Sequence, residues 1–270
     1  MTDTWKRERY TLGGGRAEVA LIALSTAKLA DPLPVSRKRH GMPDSESAGS
    51  VAIVVRDRAE DPTWFAENVI APFSELITLD LGEEAQARAL SAQHAYVIEV
   101  AVDDPDDLGH LQAAWALAKC VCEEGAAIVI DVYAARAHFG GDIAALEPDR
   151  RLDVMHEVTF FFEETGPDRV AAWSLGLHKF GRPDIVLLDI PAPDATHAAL
   201  LLRDISAALA SGERIEPGDV VSGGDTQLEA VIFAPEMEQA VAVDGPALLL
   251  RRIEVTAQGS RRGASHVPAV

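Results

Sequence analysis

The stretch 104–125 limits the fold more than any other part of the chain. Asp104 stands where a helix N-cap would, Pro105 suits a first helical position, and Asp106 and Asp107 complement the positive end of a helix dipole. Leu108, Leu111, Trp115, Ala118 and Cys122 then recur at steps of three or four, which draws one apolar stripe. Gly125 supplies the C-terminal stop. The spacing predicts an amphipathic helix over 104–124, and its stripe must be laid against something apolar. A second stripe, Leu201, Ile205 and Leu209 with Gly212 as its stop, predicts a helix over 196–211. These two are expected to be the longest helices and to pack on a sheet.

Short apolar runs supply that sheet. Residues 19–24, 51–55, 77–81, 96–102 and 128–133 read as strands in the first half. Residues 158–162, 185–190, 228–233 and 248–253 do so in the second. Trp64, Phe65, Val69 and Ile70 have helical spacing that Pro72 ends, 83–93 reads as a short Ala-rich helix, and 169–180 reads as a helix. Residues 30–50, with Pro32, Pro34, Gly41, Pro43 and Gly49, form a long loop carrying the short basic patch Arg37-Lys38-Arg39. The tail 259–270 is expected to fray.

Strand and helix do not alternate strictly, so the order predicts an α+β fold. Mixed, largely antiparallel sheet layers would be covered on one side by helices; a doubly wound α/β sheet is the alternative. Gly140, Gly141 and Pro148 mark a soft boundary, giving an N-terminal half over 1–140 and a C-terminal half over 141–270, or one continuous domain. The halves share a rough strand–helix–strand plan without a residue-level repeat.

Charge narrows the partners. The net charge of the 270 residues is −19, and 41–250 alone holds 12 basic against 38 acidic residues. Such a body repels nucleic-acid phosphates and anionic membrane surfaces. It serves solubility or docks a basic protein. Residues 17–26 imitate a signal peptide behind a basic start, but Glu18 interrupts the short apolar run. No run of ~18 apolar residues predicts a membrane span. Cys120 and Cys122 fall two apart on the predicted helix and face different ways, so buried free thiols are expected, as suits the cytoplasm.

No catalytic signature stands out. There is no nucleophile elbow, P-loop, His-Glu-x-x-His or dinucleotide fingerprint, and Gly13-Gly14-Gly15 precedes a strand rather than following one. No cofactor and no metal site is expected. Asp103, Asp104, Asp106 and Asp107 lack the central Gly and closing Glu of a calcium loop. His156 and Glu157, read as neighbours at a strand start, would point to opposite faces.

The most specific stretch is 173–184. Phe180 would anchor a helix end, Gly181 would take the left-handed conformation, and Pro183 would block further helix before the next strand. On the architectural reading its polar residues satisfy the backbone. On the functional reading Ser174, His178, Arg182 and Asp184, with His156, surround a ligand-binding pocket; no residue is assigned a catalytic role.

Trp173, Ser174, Gly176, Leu177, Phe180, Gly181, Pro183 and Asp184 resemble a segment of bacterial families of uncharacterised proteins, in which an aromatic and a small hydroxyl residue precede Gly-Leu and Phe-Gly-x-Pro-Asp. Ser174 stands where Thr is expected. The strand start at Gln93-His94-Ala95 is similar to that group too. The resemblance implies a layout and no activity.

Two functions follow. One is a non-enzymatic acidic binding or regulatory protein, immunity-like, that engages a basic protein. The other is an enzyme with a dispersed site, a hydrolase, near His156 and the turn from Trp173 to Asp184.

Overall fold

The structure is a computed structural model that describes residues 3–223, 226–243 and 245–252. Strand β1 (Arg16–Ser25) shows why the first half folds as it does. Val19, Leu21 and Ala23 are buried on one face, and Ile22 and Leu24 on the other. A strand buried on both faces belongs at the centre of a sheet that is covered twice. It pairs antiparallel with β3 (His94–Asp103) and β4 (Ile128–Asp131), and β2 (Ala52–Asp57) and β5 (Arg136–Phe139) close the order β2-β3-β1-β4-β5. The Gly109–Glu123 helix packs on β1 and β3. Beneath the opposite face lie Phe65, Val69, Ile77 and Ala89 from helical residues of 62–91, so this sheet is covered on two sides rather than one.

Two boundaries in this half differ from expectation. The first stripe does form a helix, but it begins at Gly109, not Asp104. Asp104 takes a positive φ of 37°, and its carboxylate accepts the Gly13 amide at 2.7 Å and the Tyr10 hydroxyl at 3.1 Å. Tertiary partners thus claim the predicted cap. Asp107 does part of its work by accepting the Gly109 amide at 2.9 Å. Residues 77–81 are not a strand. They end the helix Ala71–Leu81, which continues Pro62–Phe65 through a π turn at Ala66–Ile70. The wider turn ahead of Pro72 relieves the proline's conflict with the preceding carbonyls, so Pro72 opens the last segment rather than stopping the helix. The run 62–81 is therefore longer than either helix expected to be longest.

The second sheet runs β6-β7-β8-β11-β10-β9 and is antiparallel except where β8 meets β11. Its strands are β6 (Thr159–Gly166), β7 (Arg169–Leu175), β8 (Asp184–Pro191), β9 (Val220–Gly223), β10 (Thr226–Ile232) and β11 (Ala247–Arg252). Pro167 and Asp168, the latter at φ 56°, turn β6 into β7, so 169–175 is a strand where a helix was expected. Ala171, Ala172, Trp173 and Ser174 are all buried, which leaves no period of two to read. The Ala195–Ala210 helix lays Ala198, Leu202, Ile205 and Leu209 on this sheet.

The sheets divide 16–139 from 159–252, yet one apolar core joins them. Leu21, Ile98 and Trp115 from the first side share it with Ala172, Leu177, Ile185 and Leu202 from the second. The turn Leu177–Phe180 packs against β1 at this junction. Residues 134–152, read as a boundary, contribute β5 and the helical turn Gly140–Ala144. Cys120 and Cys122 are buried free thiols, pushed up by burial to about 11 and about 12. Among the described residues no helix is long and apolar enough to cross a membrane. The predicted tail 259–270 lies outside the described residues.

Candidate functional site

The stretch from Trp173 to Asp184 sits at the junction of the sheets. β7 ends at Leu175, Gly176 turns the chain at φ 115°, Leu177–Phe180 makes one 3-10 turn, and Gly181 at φ 61° leads into β8. The expected left-handed glycine is therefore present. A Cβ on Gly181 would lie 2.4 Å from the Gly15 carbonyl oxygen, and the Gly15 amide donates to the Gly181 carbonyl at 2.9 Å. Gly14 is held as closely, since its Cβ would lie 1.8 Å from Arg182 Nη1. The triple glycine is thus the surface on which this turn docks. Gly181→Val is expected to cost about 2 kcal/mol or more, from left-handed strain plus overlap with Gly15. An unchanged melting temperature would refute that role.

The polar residues of the stretch serve separate ends. Ser174 Oγ donates to Asp184 Oδ1 at 2.9 Å and accepts the Ile185 amide at 2.9 Å. The Leu177 amide donates to the same carboxylate at 3.2 Å. Asp184 is 2% exposed, and burial pushes its carboxyl up to about 7 against the pull of those hydrogen bonds. Arg182 donates to the carbonyls of Gly212 and Glu213, each at 2.9 Å, beyond the C-terminus of the Ala195–Ala210 helix. His178 stacks on Tyr133 with ring centroids 5.6 Å apart.

The strongest electrostatic feature is Lys179, at 0% exposure. Its Nζ donates to Asp131 Oδ2 at 2.5 Å and to Glu157 Oε2 at 2.9 Å, and both acids are fully buried. The Trp115 indole N–H adds a third contact, to Glu157 Oε2 at 2.9 Å. Burial disfavours the charge of Lys179, but the two carboxylates more than offset it and hold the ammonium above its ordinary range. Burial pushes Asp131 up, with Glu157 adding to the effect. Glu157 is held down despite burial, because Lys179, His156 and Arg150 face it. The Lys179 carbonyl accepts from His110 Nε2 at 2.9 Å, which fixes the turn from its other side.

His156 belongs to this network and not to a strand. It lies in the helical turn Val154–Glu157, which Asp153 caps by accepting the Met155 amide. Its Nδ1 is 3.4 Å from Glu157 Oε1, so the two neighbours meet rather than point apart. Its ring stacks on His138 at 5.2 Å and meets Trp115 edge-on at 5.5 Å. Burial drives His138 down to about 3.

Of the five sequence-selected residues, only Ser174 and Asp184 hydrogen-bond to each other. Arg182, His178 and His156 each face different partners. Lys179, Asp131, Trp115 and His138 were missed as a group. A lone Asp inside the apolar run 128–133 is the one signal that pointed to a buried partner.

An open cleft of about 420 Å3 lies elsewhere, beside the edge strand β2. Ile53, Val55 and Asp57 line it with His94 and Tyr96 of β3 and the loop around Asp31 and Pro32. The Tyr96 hydroxyl anchors that loop by accepting the Leu29 amide at 2.7 Å. No protein-family model, curated protein or solved structure matches the chain.

Proposed function

We propose that this chain is a non-catalytic binding or regulatory protein, immunity-like, that engages a basic protein through its acidic surface. One contrast carries the reading. The Lys179 network at the centre is closed to solvent, whereas over 41–250 acids outnumber bases 38 to 12 and several exposed acids stand without a cation. Lys179, Asp131 and Glu157 are fully buried in mutual contact. Glu67, Glu75, Glu83, Glu163 and Glu164 are exposed, and none of them forms an ion pair among the described residues. Exposed like charge speeds encounter with a cationic protein and is screened by salt. It disfavours nucleic acid. The reading places the chain in a reducing cytoplasm, where Cys120 and Cys122 stay thiols.

The test is affinity enrichment at low salt, followed by reconstitution with the purified partner. A cationic protein whose binding weakens steeply with salt, and again when several surface Glu are changed to Gln, is the expected result. No cationic partner, together with turnover in a hydrolase substrate screen that His156→Ala abolishes, would overturn the reading in favour of an enzyme.

A further inference from the structure

Building on the binding reading above, we propose that the partner contributes an extended segment that adds as a sixth strand to the open edge of β2 and places alternating apolar and Lys or Arg side chains over the adjoining cleft. β2 ends its sheet, and among the described residues only β3 pairs with it. The direction of its free backbone follows from the pairing. The Arg58 amide donates inward to the Gln93 carbonyl at 2.8 Å, and the Val51 amide turns away to Ala48. Antiparallel alternation then aims Ala52, Val54 and Arg56 at β3, and Ile53 and Val55 at the open edge. Those two residues present two N–H donors and two C=O acceptors to an incoming strand.

The side chains favour the same occupant. Val54 and Val55 are 39% and 48% exposed, apolar side chains on an edge strand that no other described strand covers. Ile53, Val55 and Asp57 share one face of β2, opposite Ile98, Tyr96 and His94 in register, and this face floors the cleft. The rim is acidic. Asp31, Asp57 and Glu60 face the cleft against Lys28 and His94, and Asp31 and Glu60 have no cation within ion-pair distance among the described residues. Arg56 and Arg58 belong to the other face, over the rings of Trp64 and Phe65. Apolar floor and acidic rim together suit a strand that alternates apolar and cationic residues. A second copy of this chain carries a net charge of −19, so charge favours a foreign cationic strand over self-association at this rim.

The probe is a short synthetic peptide alternating Val and Lys, compared with the same peptide carrying Glu for Lys. Binding is read by fluorescence anisotropy and by hydrogen exchange of the Ile53 and Val55 amides. The Lys peptide is expected to bind and slow exchange at both amides, and the Glu peptide to do neither. Val55→Pro removes an outward donor without touching the β2–β3 ladder and should weaken binding at least tenfold, as should Asp57→Asn with Glu60→Gln. Should the proline variant misfold, the charge variant and the wild-type exchange data decide alone. Absence of peptide binding and protection overturns the proposal. So does a dimer of this chain that Val55→Pro dissolves. A natural cationic partner that binds Val55→Pro and wild type equally overturns strand addition while leaving the binding reading intact; absence of any cationic partner removes both.

Discussion

Replacing Lys179 by Met is expected to cost about 3–5 kcal/mol, because it leaves Asp131 buried without a cation and Glu157 with only the more distant Arg150 and His156. Met matches the length of the lysine stem, so lost packing is the smaller part. Both acids are fully buried, and no water can take over the role of Nζ without opening the core. The loss should itself depend on pH. Without Lys179 the buried Asp131 carboxyl resists ionisation still more, so its folded value moves further above that of the unfolded chain. The penalty is then smallest in acid, where Asp131 is protonated, and grows as pH rises. Adding Asp131→Asn and Glu157→Gln to Lys179→Met should restore part of the stability, since amides need no counter-charge. Urea midpoints at unchanged slope measure each step. A Lys179→Met protein within about 1 kcal/mol of wild type would show that the network is not a structural keystone.

How much of this could be read from the chain depends on how local the cause is. The helices Gly109–Glu123 and Ala195–Ala210 were legible because their stripes lie on one face of a local spiral. Gly181 was legible because only glycine takes its φ comfortably between Phe180 and β8. Residues 169–175 were not, because a strand buried on both faces carries no alternation. Residues 77–81 were misread because Ile77, Thr78 and Leu79 look like a strand, while Leu79 is 78% exposed on a helix that buries Ile77 on its other side. Of the Lys179 network only Asp131, an acid inside an apolar run, left a local trace. Lys179 lies 48 residues from Asp131 and 22 from Glu157, and each acid sits in an unrelated element. The β2 strand was expected, but its place at the edge is set by which strands pair with β3, and sequence does not fix that order.

Asp184 gives the clearest pH dependence, and its sign follows from burial. The carboxyl stands at about 7 in the folded chain against about 3.9 in an unfolded one. Between those values the folded state holds a proton that the unfolded state has released. Folding therefore gains stability from this group that is fully present below pH ~4 and is lost as pH rises through 7, at most about 4 kcal/mol over the window. Asp184→Asn isolates the effect. The amide oxygen can still accept from Ser174 Oγ and the Leu177 amide, but the side chain no longer titrates. Subtracting the stability of Asp184→Asn from that of wild type at each pH cancels the other titrating groups, including Glu157. The difference should fall steadily from pH 4 to 7 and level off above, as Ser174 and its neighbours are left facing a buried anion. Two parallel stability curves across that range would mean that Asp184 is ionised throughout. In that case the Ser174, Leu177 and Gly176 donors would outweigh burial, and the turn would rest on a charged cap rather than a neutral one.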